Sequence, residues 1–339
     1  MSPPVAKKPA KTRKAFRFID LFAGIGGMHL AFERLGGKCV FASEKDTKAC
    51  DTYEENFGMR PHGDIRSLDA GEIPEHNLLA AGFPCQAFSI AGVSKLSSMG
   101  RKHGFKDATR GTLFFEICRI AEKRQPEVLL LENVKNLQWH DKGRTLEVIK
   151  ERLDEIGYEV TTDVVSSAYF VPQRRERIFI VGIRKDLDTV FRFPPPPGGR
   201  RPILADILDP EVNGKYTLND HLWNYLQERK IAQKAKGNGF GYGLFEPDQS
   251  SRTLPARYGK DGADILIAQP GKNPRRLSPR ECSRLMGFES FRPKRKFILN
   301  KSEPQCYKQF GNAVVPQVVE FLGREIIRQL GWKTREATQ

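Results

Sequence analysis

A cysteine, a glutamate and two arginines carry the most chemistry in this sequence. Cys85 stands in GFPCQAFS where the apolar run LLAAG ends, and Glu132 closes the apolar run of VLLLEN. Arg175 and Arg177 lie two positions apart in QRRERIFIVGI. A carboxylate at the end of an apolar strand is costly to bury alone, so Glu132 has a proton or a ligand to manage. Seen singly, a salt-bridged glutamate is the plainer reading. Seen beside a strand-end thiol, the pair suits covalent attack on an electron-poor ring. The thiolate is the nucleophile, and the acid offsets the negative charge that develops. Two arginines at i and i+2 of a strand share a face and suit a carboxylate or oxygen acceptor, although a surface strand carries such pairs too.

The other cysteines narrow what Cys85 does. Cys39, Cys50, Cys118, Cys282 and Cys306 form no C-x-x-C pair and lack histidines at zinc-ligand spacing. No secretion signal precedes them, so disulfides are not expected either. Cys118 and Cys282 fall in helical patterns, where a buried thiol acts as a small apolar group. Packing or nucleophilic attack is left for Cys85.

DLFAGIGG, residues 20–27, is a glycine-rich turn between an apolar strand and a helical pattern. Such a turn lets a ligand approach the backbone and the helix N-terminus. No G-K-[ST] follows, which excludes a P-loop. Glu44, roughly twenty residues on, is placed to accept hydrogen bonds from ribose hydroxyls, and Asp64 in HGDI is placed for an adenine amino group. A ribose-bearing cofactor follows, NAD-like or S-adenosylmethionine. Hydride transfer needs neither Cys85 nor Glu132.

The elements that must position these residues read as an α/β chain. Strands are expected over 16–22, 39–44, 77–83 and 128–134, with further strands in YEVTTDVV and RIFIVGIRK. Helices are expected in MHLAFERLG, DTKACDTYEENF, TLFFEICRIAEKRQ and TLEVIKERLDEIG. Continuous apolar strands alternating with helices give a mostly parallel sheet covered on both faces. FPPPPGG, residues 193–199, breaks the rhythm and marks a boundary. Beyond it, KGNGFGYG and SSRTLPARYGKDGADILI read as irregular β structure. Ser278 with Pro279 caps a helix, and an amphipathic helix follows Pro316. Residues 1–15 read as a disordered basic tail.

The chain holds 339 residues with 56 Lys+Arg against 41 Asp+Glu, a formal charge of +15. That surplus favours a polyanionic partner, because each neutralised phosphate releases a counterion. No apolar run is long enough to span a bilayer.

DLFAGIGG, GFPCQAFS, ENVKN, QRRERIFIVGI, RRLSPRECSRLMGF and QFGNAVVPQVV occur in the order of the bacterial C5-cytosine DNA methyltransferases, which this chain resembles over residues 16–330. The resemblance implies a Rossmann-like S-adenosylmethionine-dependent fold with a smaller β-rich target-recognition domain. It divides the chain into 16–194 with 305–339 as the catalytic and cofactor domain, and 195–304 as the recognition domain. It also implies that Cys85 attacks cytosine C6, Glu132 holds N3 and the exocyclic amine, and Arg175 and Arg177 orient the base oxygen and Glu132. The cofactor S-adenosylmethionine would meet Phe22, Gly24, Gly26, Glu44, Asp64, Pro84, Leu113 and Asn312. One departure is Lys45, where many relatives carry an aromatic residue.

The target cytosine is stacked in a duplex and must be swung out to react. The long segment after Cys85 resembles a mobile catalytic loop, with Gln86 and Ser89 bordering the vacated space. Arg252, Thr253, Arg257, Tyr258 and Lys260 are the expected DNA contacts, in a region resembling Dcm-type enzymes that modify CC(A/T)GG. Double-stranded DNA is the expected partner of a monomer in the bacterial cytoplasm, at the nucleoid. A separate restriction endonuclease would complete a restriction–modification pair. Two other readings are a tRNA cytosine-5 methyltransferase and a catalytically silent DNA-binding regulator. The intact Cys85 and Glu132 weigh against the regulator, and the substantial 195–300 region weighs against tRNA.

Overall fold

The computed structural model describes residues 16–84, 113–237, 241–291 and 296–332. Cys85, Gln86 and Ser89 lie outside them, as does the basic tail.

Among the described residues, the main sheet has strand order β2-β1-β3-β4-β7-β5. Its strands are β1 (Arg17–Leu21), β2 (Lys38–Ser43), β3 (Leu78–Gly82), β4 (Val128–Val134), β5 (Tyr158–Ser166) and β7 (Glu176–Arg184). β1, β2, β3 and β4 pair in parallel, while β7 runs antiparallel to both β4 and β5. The link between Ser166 and Glu176 is shorter than the dozen or so residues a parallel crossover needs, so β7 must turn back on β5. Within that link lies the two-residue β6 (Gln173–Arg174).

Alternate side chains of each central strand enter opposite layers, which is why these strands read as unbroken apolar runs. Phe18, Leu130 and Val181 join Phe32 of α1 (Gly27–Arg34) and Leu322 of α9 (Pro316–Gln329) on one face. Ile19, Leu131 and Ile180 join Ile117 of α3 (Leu113–Arg124) and Leu153 of α4 (Arg144–Glu155) on the other. α2 (Thr47–Phe57) is capped by Asp46, whose carboxylate accepts from the amides of Lys48 and Ala49.

A second, three-stranded sheet, β11-β10-β8, comprises β8 (Leu244–Phe245), β10 (Leu266–Gln269) and β11 (Lys272–Arg276). Beside it lies α5 (Asp220–Ala235), whose Leu226 packs with Leu218 and Leu266. β9 (Ser251–Arg252) pairs instead with β6, tying this region to the main sheet. α6 (Tyr258–Asp261) and α7 (Pro279–Leu285) follow, the latter opened by the expected Ser278 cap, here a capping box with Glu281. Leu285 and Phe288 share the apolar cluster of Phe32 and Leu322, so α7 packs on the main core although it falls in the 195–304 stretch. α8 (Glu303–Asn312) brings the chain back to the sheet's strand-end edge. Sequence periodicity indicated neither α5 nor α8. No helix among the described residues is long and apolar enough to cross a membrane.

Candidate active site

The carboxyl ends of β1, β2, β3 and β4 open onto a cleft of about 860 Å³. Ligands of open α/β sheets bind at such strand ends. Its lining includes Phe22, Gly24, Glu44, Asp64, Pro84, Leu113, Glu132, Arg177 and Asn312. Residues far apart in the sequence thus meet at one place.

Backbone geometry explains the glycine-rich turn. Phe22, Gly24 and Gly26 have φ of 55°, 54° and 84°, all in the left-handed region that favours glycine. The Gly24 amide donates to Glu44 Oε2 at 2.9 Å, and the Asp46 amide donates to Glu44 Oε1 at 2.8 Å. Glu44 therefore fixes the turn while each oxygen keeps a lone pair toward the cleft. Gly26, expected at the cofactor, makes a close packing contact instead of a lining one. It is absent from the described lining, and a Cβ there would sit 2.2 Å from the Phe57 ring. Its role is to let the turn close on α2. Asp64 lines the cleft, yet its carboxylate is already engaged by Arg66, whose hydrogen bonds hold the Asp64 pKa at about 2.

Beneath the turn lies a buried polar group. Asp20 is 1% exposed, and burial holds its carboxyl well above the usual carboxylate range. Nearby, His29 Nδ1 and the Tyr53 hydroxyl stand 2.6 Å apart, and Cys39 Sγ lies 3.8 Å from that hydroxyl.

At the far end of the cleft, Arg177 Nε lies 3.1 Å from Glu132 Oε1, with both side chains mostly buried. The β4–β7 register makes this contact by placing Val134 opposite Arg177 and Glu132 opposite Phe179. Burial raises the Glu132 pKa, while Arg177 and then Arg175 pull it down. Burial wins, leaving a carboxyl that holds a proton more readily than a solvated glutamate. Asn133, which the motif reading left without a role, is 2% exposed and donates from Nδ2 to the Phe83 carbonyl at 2.9 Å. It pins the exit of β3 two residues before Cys85. Its place in ENV, next to Glu132, was the signal available in the sequence.

Arg175, expected to orient Glu132 and a base, lines the cleft and its charge helps lower the Glu132 pKa, but its hydrogen bonds go elsewhere. It sits between β6 and β7 rather than in one continuous strand, and only 4% of it is exposed. Its guanidinium donates to the carbonyls of Leu254 at 3.2 Å, Gly311 at 3.1 Å and Ala313 at 2.9 Å. Burial and the neighbouring Arg177 push its pKa down, and the three carbonyls hold its charge. Gln173, also unassigned from sequence, completes this clamp by accepting the Leu254 amide on Oε1 at 2.7 Å.

The expected DNA contacts divide. Arg252 is exposed, with its guanidinium carbon 5.9 Å from the Phe245 ring centroid. Thr253 is partly exposed and donates from Oγ1 to the Arg174 carbonyl at 2.9 Å. Arg257 is exposed and paired with Asp264 at 3.0 Å, and Lys260 is exposed. Tyr258 is the correction. It is fully buried, donating to the Ile265 carbonyl and accepting from the Leu277 amide, so it is a packing residue.

The five described cysteines are buried, and no metal-holding group of His, Cys, Asp or Glu occurs among the described residues. Lys45 lines the cleft where the resemblance leads one to expect an aromatic ring.

A family model described as C-5 cytosine-specific DNA methylase matches residues 16–328. The chain is 47% identical over 319 residues to the Type II methyltransferase M.DsaV of Dactylococcopsis salina, covering 93% of this chain and 87% of that protein. It is 48% identical over 328 residues to the Type II methyltransferase M.SsoII of Shigella sonnei, covering 95% and 83%. Against a DNA-cytosine methyltransferase of Escherichia coli K12 it is 44% identical over 362 residues, covering 90% and 76%. Among solved structures, the S. pombe Dnmt2 methyltransferase superposes with a TM-score of 0.71 at 20% identity, covering 94% of this chain and 100% of that one. The last match establishes the fold.

Proposed function

The chain belongs to the C-5 cytosine-specific DNA methylases, and on that premise we propose that it methylates C5 of a cytosine in duplex DNA through Cys85 and Glu132. The observation that carries this reading is the buried Glu132–Arg177 pair at a strand-end cleft, with the Glu132 pKa raised. Cytosine C5 is too weak a nucleophile to be methylated unaided. Attack of the Cys85 thiolate on C6 pushes the ring electrons toward C5 and N3. A protonated Glu132 meets that charge at N3 and accepts a hydrogen bond from the exocyclic amine. Arg177 holds the Glu132 carboxyl in place and supplies positive charge beside the base oxygen. After methylation at C5, loss of the C5 proton re-forms the ring double bond and expels Cys85.

S-adenosylmethionine, when bound, supplies the electrophilic methyl group. The cleft residues fit it: Glu44 offers carboxylate lone pairs for ribose hydroxyls, and Phe22, Pro84 and Leu113 offer apolar surface for a purine. Residues 16–194 with 305–339 form the catalytic part in this reading, with recognition falling to 195–304. Arg252, Thr253, Arg257 and Lys260 face the duplex, and Gln86 and Ser89 border the space left by the flipped base. The site is of CCxGG type, CC(A/T)GG first among them. The enzyme works as a cytoplasmic monomer on nucleoid DNA, with any cognate endonuclease acting separately.

The test is transfer of labelled methyl from S-adenosylmethionine to duplex DNA, with tRNA as competitor. The proposal expects label in DNA, its loss in Cys85→Ala, and a covalent adduct on 5-fluorocytosine duplexes. Label confined to tRNA, or full activity in Cys85→Ala, would overturn it.

A further inference from the structure

Trp139 is 73% exposed, the most exposed of the large hydrophobic side chains described. The other two tryptophans are occupied: Trp332 stacks on Phe16 and donates to Glu127, and Trp223 meets Tyr242 edge-on. An indole kept in water forgoes the stabilisation that burying its apolar area would give.

The backbone around Trp139 is fixed. Leu137 is fully buried on one side, and His140 Nδ1 stands 2.6 Å from Thr145 Oγ1 on the other. Asp141 and Lys142 both adopt left-handed backbone, with φ of 49° and 56°, a conformation side chains disfavour and functional sites collect. The indole is therefore held out between two anchors rather than carried on a frayed end.

The turn that carries it leaves β4 at the cleft. The turn begins directly after Val134, a cleft residue opposite Arg177, and Lys135 is tethered to Glu176 at 2.5 Å. Lys142 is exposed three residues beyond Trp139. An exposed aromatic and an exposed cation on one short turn match a sugar–phosphate backbone: the ring packs on deoxyribose and the ammonium meets phosphate.

We propose that Trp139 and Lys142 form a DNA contact on the β4 side of the active cleft, gripping the duplex backbone beside the flipped cytosine. This rests on the proposed function only for the identity of the duplex, and its test reads binding as well as turnover. In a Trp223→Phe/Trp332→Phe background, addition of target duplex should change the emission of Trp139. Trp139→Ala should weaken duplex binding about tenfold while Trp139→Phe retains most of it, with the loss falling on KM for DNA rather than on kcat. Lys142→Asn keeps a residue that tolerates the left-handed backbone and should lower the slope of log K against log salt by about 0.9. Unchanged affinity in Trp139→Ala, an unchanged salt slope in Lys142→Asn, or emission indifferent to duplex would each overturn the contact. A wild-type enzyme that binds duplex through Trp139 yet methylates no DNA would instead sink the proposed function.

Discussion

Arg177 Nε lies 3.1 Å from Glu132 Oε1, and both side chains are shielded from water. Their pKa shifts point in opposite chemical directions. Burial makes Glu132 keep its proton and makes Arg177 easier to neutralise, while each partner restrains the other's shift. A buried ion pair of this kind is poor value for stability. It makes sense as a means of tuning an acid that must hold and release a proton on demand.

Glu132→Gln cannot supply a proton to N3, so kcat should fall by about 10²–10⁴, with Cys85 still in place. The pH profile tests the pairing more sharply. Protonated Glu132 is lost as pH rises through its raised pKa, giving kcat/KM an alkaline limb. Arg177→Met removes the cation that pulls that pKa down, so the limb of the residual activity should move to higher pH. A limb that stays still or moves lower would refute the coupling.

Asp20 provides a stability test. Its folded pKa is raised, so its contribution is fully present below the unfolded value of about 3.9 and is lost as pH climbs through the folded value. Asp20→Asn removes this titration. Denaturant midpoints should therefore show the variant gaining on wild type from acid to neutral pH. Parallel midpoint curves would show that Asp20 does not titrate as its burial requires.

The two turn glycines should separate stability from binding. Gly24→Ala meets open space and only strained backbone, so it should cost about 1–2 kcal/mol in stability while raising KM for S-adenosylmethionine. Gly26→Ala adds a collision with Phe57 to the same strain, about 2–5 kcal/mol together. Calorimetry with cofactor titration distinguishes them, and similar destabilisation by both would count against the assignment.

Arg175 and Arg177 should part company in the same way. Arg175→Ala leaves three carbonyls without their donor, two of those bonds being fully buried, and should cost roughly 3 kcal/mol or more in unfolding free energy. Arg177→Met should depress methyl transfer and cost stability only where the pH leaves Glu132 ionised. If Arg175→Ala unfolds no more easily than wild type, the clamp is misassigned.

Much of this was legible in sequence because the strands are short, apolar and separated by clear helix patterns. Glu44, Glu132 and the glycine turn could be placed at one sheet edge from the strand ends alone. The reversal of β7 was legible only in the short link after β5, because a strand buried on both faces reads the same in either direction. The Arg175 clamp was hidden for a related reason. QRRERIF looks like one strand, and the break at Arg175 is imposed by carbonyls more than seventy positions away. Tyr258 sits among glycines and charges that suggest a surface loop, whereas its hydroxyl is satisfied by Ile265 and Leu277. α5 was invisible because its apolar residues follow no face, with Leu226 its one buried residue.

The reach of the Arg175 clamp bears on how the enzyme comes into being during translation. Its acceptors lie 79, 136 and 138 residues further along the chain. In a nascent chain that has extruded the strand-rich N-terminal half, the guanidinium still lacks its partners until Gly311 and Ala313 leave the ribosome. The contacts between the sheet and the C-terminal helices thus form late. Half-made protein would carry Cys85 and Glu132 without the C-terminal residues that complete the cleft, Gly311 and Asn312 among them.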